Sequence, residues 1–397
     1  MSTIFGSSVL DKASKEKVNL NFISSSKSDS NNPILRDSLH YLFKWADLYL
    51  TVIPNSVMEK KQLPASGDRH DFLSLAPYCW PDPKSPDGLP YKCLDSLGVN
   101  PAILEVPDKE NMKDMITRVK TLSLAYHFSQ NESYASKAAD LLRVWFLDGH
   151  TKMNPNMKYS EAVPGRNNGT NHGIIGAKQL PEVIESIHLI ENSPSWTSQD
   201  QQRMKGWFSH YLDWLLHSPT GIKEGKSKNN HGTWYDVQAS AIALFVNKTD
   251  IAEKILKKWM DKQIAIQIQP DGRQPLELSR PTSLQYSIFN LLGLFKLANT
   301  GEQAGIDLWN FKTPQGAGLQ KALDYLMPYL FNEHLWPEKQ DGPIKYDYVA
   351  SILCQAIVHY PSNESYDQTY KSMDRKTIIA NIDNLMYKCN GNDKTER

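Results

Sequence analysis

The chain is predicted to be all-α, an α/α toroid (an incomplete α/α barrel) of antiparallel helical hairpins joined by long ordered loops. Three observations predict it. Beyond residue 110, apolar residues recur at helical spacing in one segment after another. No segment alternates convincingly as a strand. Short polar loops separate many of the helical segments, which suits antiparallel neighbours. A helical solenoid would give a similar pattern, but no fixed-period repeat is found to support one.

The helical segments follow in order. Met115–Phe128, Tyr134–Phe146, Gln179–Ile190, Gln201–Leu216 and Gln238–Val246 form the first group. Ile251–Ile268, Leu284–Leu297, Leu319–Phe331, Tyr348–His359 and Lys376–Tyr387 form the second. Thr197-Ser198-Gln199-Asp200 and Thr249-Asp250 supply capping oxygens at two of the starts. Between Gly67 and Pro107, and again between Met153 and Gly173, repeated Pro and Gly residues forbid a continuous helix. Loops of such length in a compact domain are functional or disordered, and the aromatics in the first argue for order. Both are expected to form a wall of a cleft. Residues 1–32 read as a polar, Ser-rich and partly disordered N-terminus, and 33–397 as one toroid domain with no composition shift inside it.

Composition excludes several classes. In 397 residues, 44 Lys and Arg balance 44 Asp and Glu, so phosphate neutralisation by the whole-protein field is not expected and no nucleic-acid partner is implied. No run of eighteen apolar residues suggests a transmembrane helix, and no membrane partner is implied. Ten Trp and eighteen Tyr give an ample supply of rings on which sugars stack, although helical cores also consume them. Four cysteines allow three disulfide pairings. Sequence proximity alone favours Cys79 with Cys93 and Cys354 with Cys389. Together with sequons at Asn131, Asn168, Asn247 and Asn363, they lead us to expect an extracellular glycoprotein.

The chemistry concentrates in two short stretches, Asn229-Asn230-His231-Gly232-Thr233-Trp234-Tyr235 and Glu277-Leu278-Ser279-Arg280 with Tyr286. An amide, an imidazole, a guanidinium and a phenol are what removal of a carbon-bound proton beside a carboxylate requires. The carboxylate must first be neutralised, because deprotonation adds charge to the same π-system. Asn230 and His231 can donate to it and Arg280 can add positive charge. Tyr286 would act on the proton if nearby cations stabilise its phenolate. Each residue alone has an ordinary reading: a helix cap for Asn229-Asn230, a core ring for Tyr286, an ion pair with Glu277 for Arg280. Their common position at loop-to-helix junctions favours the catalytic one.

Asn229-Asn230-His231, Pro275-Leu276-Glu277-Leu278-Ser279-Arg280 and Tyr286 resemble motifs of the alginate lyase superfamily. His70 to Pro83 (His-Asp-Phe-Leu-Ser-Leu-Ala-Pro-Tyr-Cys-Trp-Pro-Asp-Pro) is similar to the opening motif of polysaccharide lyase family 38. Met153-Asn154-Pro155-Asn156 and Ala162-Val163-Pro164-Gly165 are similar to the same branch. The resemblance runs from about Gly67 to Phe295. It implies an α/α toroid and β-elimination, with Tyr286 transferring the proton, Asn230 and Arg280 neutralising the carboxylate, and His231 supporting them or sharing the base chemistry. It departs from the family 5 relatives, which place a His directly before the catalytic Tyr, where Gln285 stands here, and space their Arg and Tyr one residue further apart. Asn171-His172 is more polar than the branch leads one to expect.

The substrate implied is an anionic β-1,4-linked uronate polymer, either mannuronate-type alginate or glucuronan. These sugars share their C4 and C5 stereochemistry, so one Tyr can serve both the C5 proton and the leaving oxygen. Tyr78, Trp80, Arg166, Asn171, His172, Trp234 and Tyr235 are expected to line the cleft, with Glu277 orienting Arg280 from behind. The alternatives are an inverting hydrolase using Glu277 and Asp236, or a glycan-binding toroid without activity. His127, His150, His188, His210 and His217 lack zinc-ligand spacing, so neither metal nor other cofactor is called for. The oligomeric state is left open.

Overall fold

A computed structural model of the chain describes residues 32–94, 97–387 and 389. The expected polar N-terminus therefore lies outside the described residues, apart from Asn32. The described residues are mostly helical, with two small two-stranded sheets and no closed one. Among them no helix is long and apolar enough to cross a membrane. Contacts divide the chain into two compact units, neither of them contiguous in sequence. One comprises 46–227 and 234–252 and carries the long loops. The other comprises, among the described residues, 32–45, 228–233 and those from 253 onward, and carries Tyr286.

Helix α1 (Pro33–Leu50) was not among the predicted segments. It opens with Pro at its first position, where a missing N–H costs nothing, and Asn32 Oδ1 accepts from the amides of Ile34 and Leu35. In the loop-rich unit, α2 (Asp108–Ser129) packs against α3 (Glu132–Leu142) and α4 (Leu180–Ile190). The α2–α3 hairpin turns on Gln130, which takes a left-handed φ of 56°, and on Asn131, which caps α3. The chain then makes a π turn over Arg143–Leu147. Helix α5 (Ser198–His217) begins with the Thr197/Asp200 pair as a reciprocal capping box, as the sequence suggested. Helices α6 (Pro219–Glu224) and α7 (Asn230–Phe245) follow, the residues of α7 up to Thr233 counting with the other unit.

The absence of strands expected from the sequence is corrected by four short ones. β1 (Leu73–Leu75) pairs in parallel with β4 (Tyr159–Ala162), and β2 (Cys79–Trp80) pairs antiparallel with β3 (Lys92–Cys93). At two to four residues they are too short to show alternation. They nonetheless order both long loops, since β1 and β2 lie in one and β4 in the other. The Cys79–Cys93 disulfide clamps the second pair, as proximity predicted.

A buried ion pair anchors this region. Lys60 Nζ lies 2.8 Å from Asp108 Oδ2 with both side chains fully buried, and the same oxygen accepts from the Leu73 amide at 2.9 Å. Burial pushes the Asp108 carboxyl up to about 6, against the pull of the Lys60 charge, and pushes the Lys60 ammonium down. Asp108→Ala would leave Lys60 buried without a counter-charge, and we expect a loss of about 3–5 kcal/mol in urea denaturation. A loss below about 1 kcal/mol would mean that water reaches and solvates the ammonium in the variant.

The Tyr286 unit holds most of α8 (Thr249–Lys258), then a π turn over Trp259–Gln263, α9 (Ile264–Gln267) and α10 (Pro275–Leu278). Helix α11 (Ser283–Gln303) packs against α10, α12 (Leu319–Leu326) and α13 (Tyr346–His359). Helix α13 contacts α14 (Glu364–Lys371), α15 (Arg375–Ala380) and α16 (Asp383–Tyr387). The single helix expected over Lys376–Tyr387 is thus two, because Asn381 leaves the helical region at ψ 104°. Cys354 and Cys389 form the second expected disulfide.

Candidate active site

Three segments of the Tyr286 unit converge through Glu277. Asn229 Oδ1 accepts from the His231 amide and so caps the first turn of α7. Glu277, 1% exposed on α10, accepts the Asn230 backbone amide on Oε1 and the Asn230 side-chain amide on Oε2, each at 2.7 Å. A carboxylate thereby meets the positive end of a helix. Burial pushes the Glu277 carboxyl up, while the two Asn230 donors and the charges of Arg280 and His231 pull it down. Those opposing pulls place Arg280 and His231 within electrostatic reach of the same carboxylate.

The Arg280 amide donates to Glu277 O at 3.0 Å, closing the turn after α10. Pro281 then ends any helix, and α11 begins two residues later. This reversal lets Arg280 meet Tyr286, whose amide donates to Thr282 O in the first turn of α11. Arg280 Nη2 donates to the Tyr286 hydroxyl oxygen at 2.7 Å, and its Cζ lies 3.8 Å from the ring centroid. A cation on the phenol oxygen stabilises the phenolate, which is the activated form a proton-abstracting tyrosine needs. Arg280, Tyr286 and His231 are all half-buried and open to solvent on one side.

The expectation that Asn230 donates directly to substrate changes here. Asn230 is fully buried, its amide nitrogen is held by Glu277, and its Oδ1 has no hydrogen-bond partner. It anchors the carboxylate behind Arg280, and the donors that reach solvent are His231 and Arg280.

A buried polar network that sequence reasoning missed lies under this surface. Asn290, one turn beyond Tyr286 on α11, donates at 2.8 Å to both Gln267 Oε1 and Gln274 Oε1. Its Oδ1 accepts from Thr233 Oγ1 at 2.7 Å. Gln267 Nε2 donates to Asn229 O at 3.4 Å, and Gln274 Nε2 to Ser287 O at 3.0 Å. Four side chains therefore fix the start of α7, the approach to α10 and the start of α11 relative to one another. Gln285, where family 5 relatives carry histidine, is committed elsewhere: its Oε1 accepts from the Lys345 amide at the start of α13.

The loop-rich unit carries the residues expected to line a cleft, and it divides them. Tyr78 and Trp80 are half-buried, with Trp80 Nε1 donating to Gly98 O, while Arg166 and His172 are exposed. Trp234 and Tyr235, 2% and 6% exposed, are core residues, which corrects their assignment to the cleft. The Tyr235 hydroxyl donates to Leu215 O, and its ring lies so close to Gly225 that a Cβ there would sit 2.9 Å from Cε1. Burial pushes its phenol well up, away from ionisation. Asn171 is also buried, donating to Glu224 at 2.8 Å, and so holds a loop instead of facing a ligand.

The hydrolase alternative fails on burial. Glu277 is sealed by two donors and Asp236 is 2% exposed, so neither can protonate a glycosidic oxygen or activate water. A half-buried phenol under a guanidinium on an all-α frame is instead the apparatus of a polysaccharide lyase. The chain belongs to the alginate lyase family, whose profile matches residues 56–336. An alginate lyase from Bacteroides ovatus is 35% identical, with 94% of this chain and 98% of that one covered at a TM-score of 0.86. A histidine-to-alanine variant of alginate lyase A1-III complexed with a tetrasaccharide is 16% identical over 98% and 99% of the two chains, at 0.63. Alginate lyase A1-III from Sphingomonas species A1 is 14% identical over 90% and 99%, at 0.55. The two A1-III structures bear on the fold alone. No curated protein matches the chain. The fold is thus that of the alginate lyases, the expected α/α toroid, and the protein is a polysaccharide lyase acting on anionic, alginate-type substrates.

Proposed function

We propose that Tyr286 is both base and acid in a syn β-elimination on mannuronate-type alginate or glucuronan, the substrates of the family 38 branch. The observation that carries this reading is the 2.7 Å contact of Arg280 Nη2 with the Tyr286 hydroxyl oxygen. His231 and Arg280 hold the C6 carboxylate of the bound uronate and take up the charge that develops there. The phenolate removes the C5 proton, the C5–H electron pair becomes the C4–C5 double bond, and the C4–O4 bond breaks. The new phenol returns its proton to O4. One glycosidic bond becomes a 4,5-unsaturated uronate end and a new reducing end. Glu277 and Asn230 keep Arg280 and the first turn of α7 in place throughout.

The mechanism needs the C5 proton and O4 on one face of the sugar. Polymannuronate and glucuronan satisfy this, whereas guluronate inverts C5 and would need base and acid on opposite faces. Incubation with the three polymers is expected to raise the ultraviolet band of the unsaturated uronate on polymannuronate or glucuronan and not on polyguluronate. Turnover confined to polyguluronate would overturn the single-tyrosine scheme. An extracellular location is part of the same proposal, supported by a disulfide in each unit, since such bonds persist in oxidising compartments.

A further inference from the structure

Val163-Pro164-Gly165-Arg166 is a tight turn in the loop-rich unit, closed by the Arg166 amide donating to Val163 O at 2.9 Å. Pro in the second position and Gly at φ +75° in the third is a type II pattern. The glycine has a second reason: a Cβ there would meet Pro90 Cα at 2.8 Å. Its absence lets the turn lie on the Leu89-Pro90 segment, and the Tyr91 amide donates to Pro164 O at 3.0 Å. Arg166 therefore leaves a backbone fixed on several sides. Its guanidinium touches Cys93 Sγ at 3.9 Å, and Cys93 is held by its disulfide to Cys79.

Beside the turn lies an open groove of about 450 Å³, within the range of small-molecule sites. Leu63, Pro64, Leu75 and Pro164 give it apolar walls, while Arg166 and Asn168 give it polar ones. No acidic residue lines it, and the exposed Arg166 is paired with no carboxylate among the described residues. An unneutralised guanidinium fork matches a planar carboxylate, and apolar walls suit the C–H face of a sugar ring.

We infer that this groove is a uronate subsite, in which Arg166 forks onto the C6 carboxylate of one unit of the polymer. The inference rests on the lyase reading, because the polymer that function supplies is the ligand. Arg166 would then add affinity for the anionic chain instead of chemistry at C5.

The test measures binding of polymannuronate by calorimetry in a Tyr286→Phe background, together with KM in the otherwise native enzyme. Arg166→Gln should weaken binding about tenfold, the order of one charge-assisted contact, and raise KM more than it lowers kcat. Arg166→Lys, which keeps the charge and loses the fork, should fall between. Circular dichroism of each variant checks that the turn still folds. Affinity and KM within twofold of the parent would overturn the subsite. The two readings fail separately: a native enzyme that forms no unsaturated ends on any uronate polymer defeats the lyase mechanism. An active native enzyme with an unaffected Arg166→Gln variant defeats the groove alone.

Discussion

Tyr286→Phe is expected to lower kcat on polymannuronate by about 10⁴-fold, the upper end of what a positioned acid–base group supplies. The two roles assigned to this hydroxyl explain the size, since its loss removes the acceptor of the C5 proton and the donor to O4 together. Binding should survive, because the ring that stacks under Arg280 remains and His231 and Arg280 still meet the carboxylate. Folding should survive too, because the lost hydroxyl contact is half-exposed and α11 does not depend on it. Calorimetric titration with polymannuronate and a urea melt check both points. A Phe variant within tenfold of native turnover would remove Tyr286 from the chemistry.

Arg280→Ala should cost about 10²–10³ in kcat, the typical loss when one preorganised group facing developing charge is removed. Arg280 acts in two places: on the Tyr286 oxygen at 2.7 Å and on the substrate carboxylate. Arg280→Lys keeps a cation with a different shape and should recover part of the loss. The double variant Arg280→Ala with Tyr286→Phe should lose less than the sum of the two single losses, because the part of Arg280's effect that runs through the phenol is already gone in Tyr286→Phe. Additive losses in that cycle would mean that the two residues act independently, contrary to their contact.

Much of this was legible in the chain, for identifiable reasons. Helices α3, α4, α8 and α12 carry strong 3.6-residue patterning, and the Thr197–Asp200 box is a local signal with a local consequence. Asn229 to His231, Glu277, Arg280 and Tyr286 sit at loop-to-helix junctions, where a fold can bring polar side chains together without interrupting a helix. Helix α1 also carried its signal, since Leu35, Ser38, Leu42 and Ala46 are buried at helical spacing.

Other features were not legible because their determinants are non-local. Gln267, Gln274, Asn290 and Thr233 look like scattered polar residues until four chain segments bring them together. Asn230 resembles any exposed amide until Glu277, 47 residues away, seals it. Trp234 and Tyr235 are buried because α7 is enclosed nearly all round: from Gly232 to Phe245 every residue but Ala241 is buried, Thr233, Asp236, Gln238 and Ser240 included. Reading those aromatics as sugar platforms gave ring chemistry more weight than that pattern allows. The strand pairs were beyond reach, because two-residue strands have no periodicity to detect.

The most direct measurement counts both products of one reaction. Polymannuronate is treated with the native enzyme, and unsaturated uronate absorbance and new reducing ends are followed in the same sample. Elimination through Tyr286 predicts one unsaturated end for each reducing end at every time point. Reducing ends accumulating without the ultraviolet band would show hydrolysis and contradict the account.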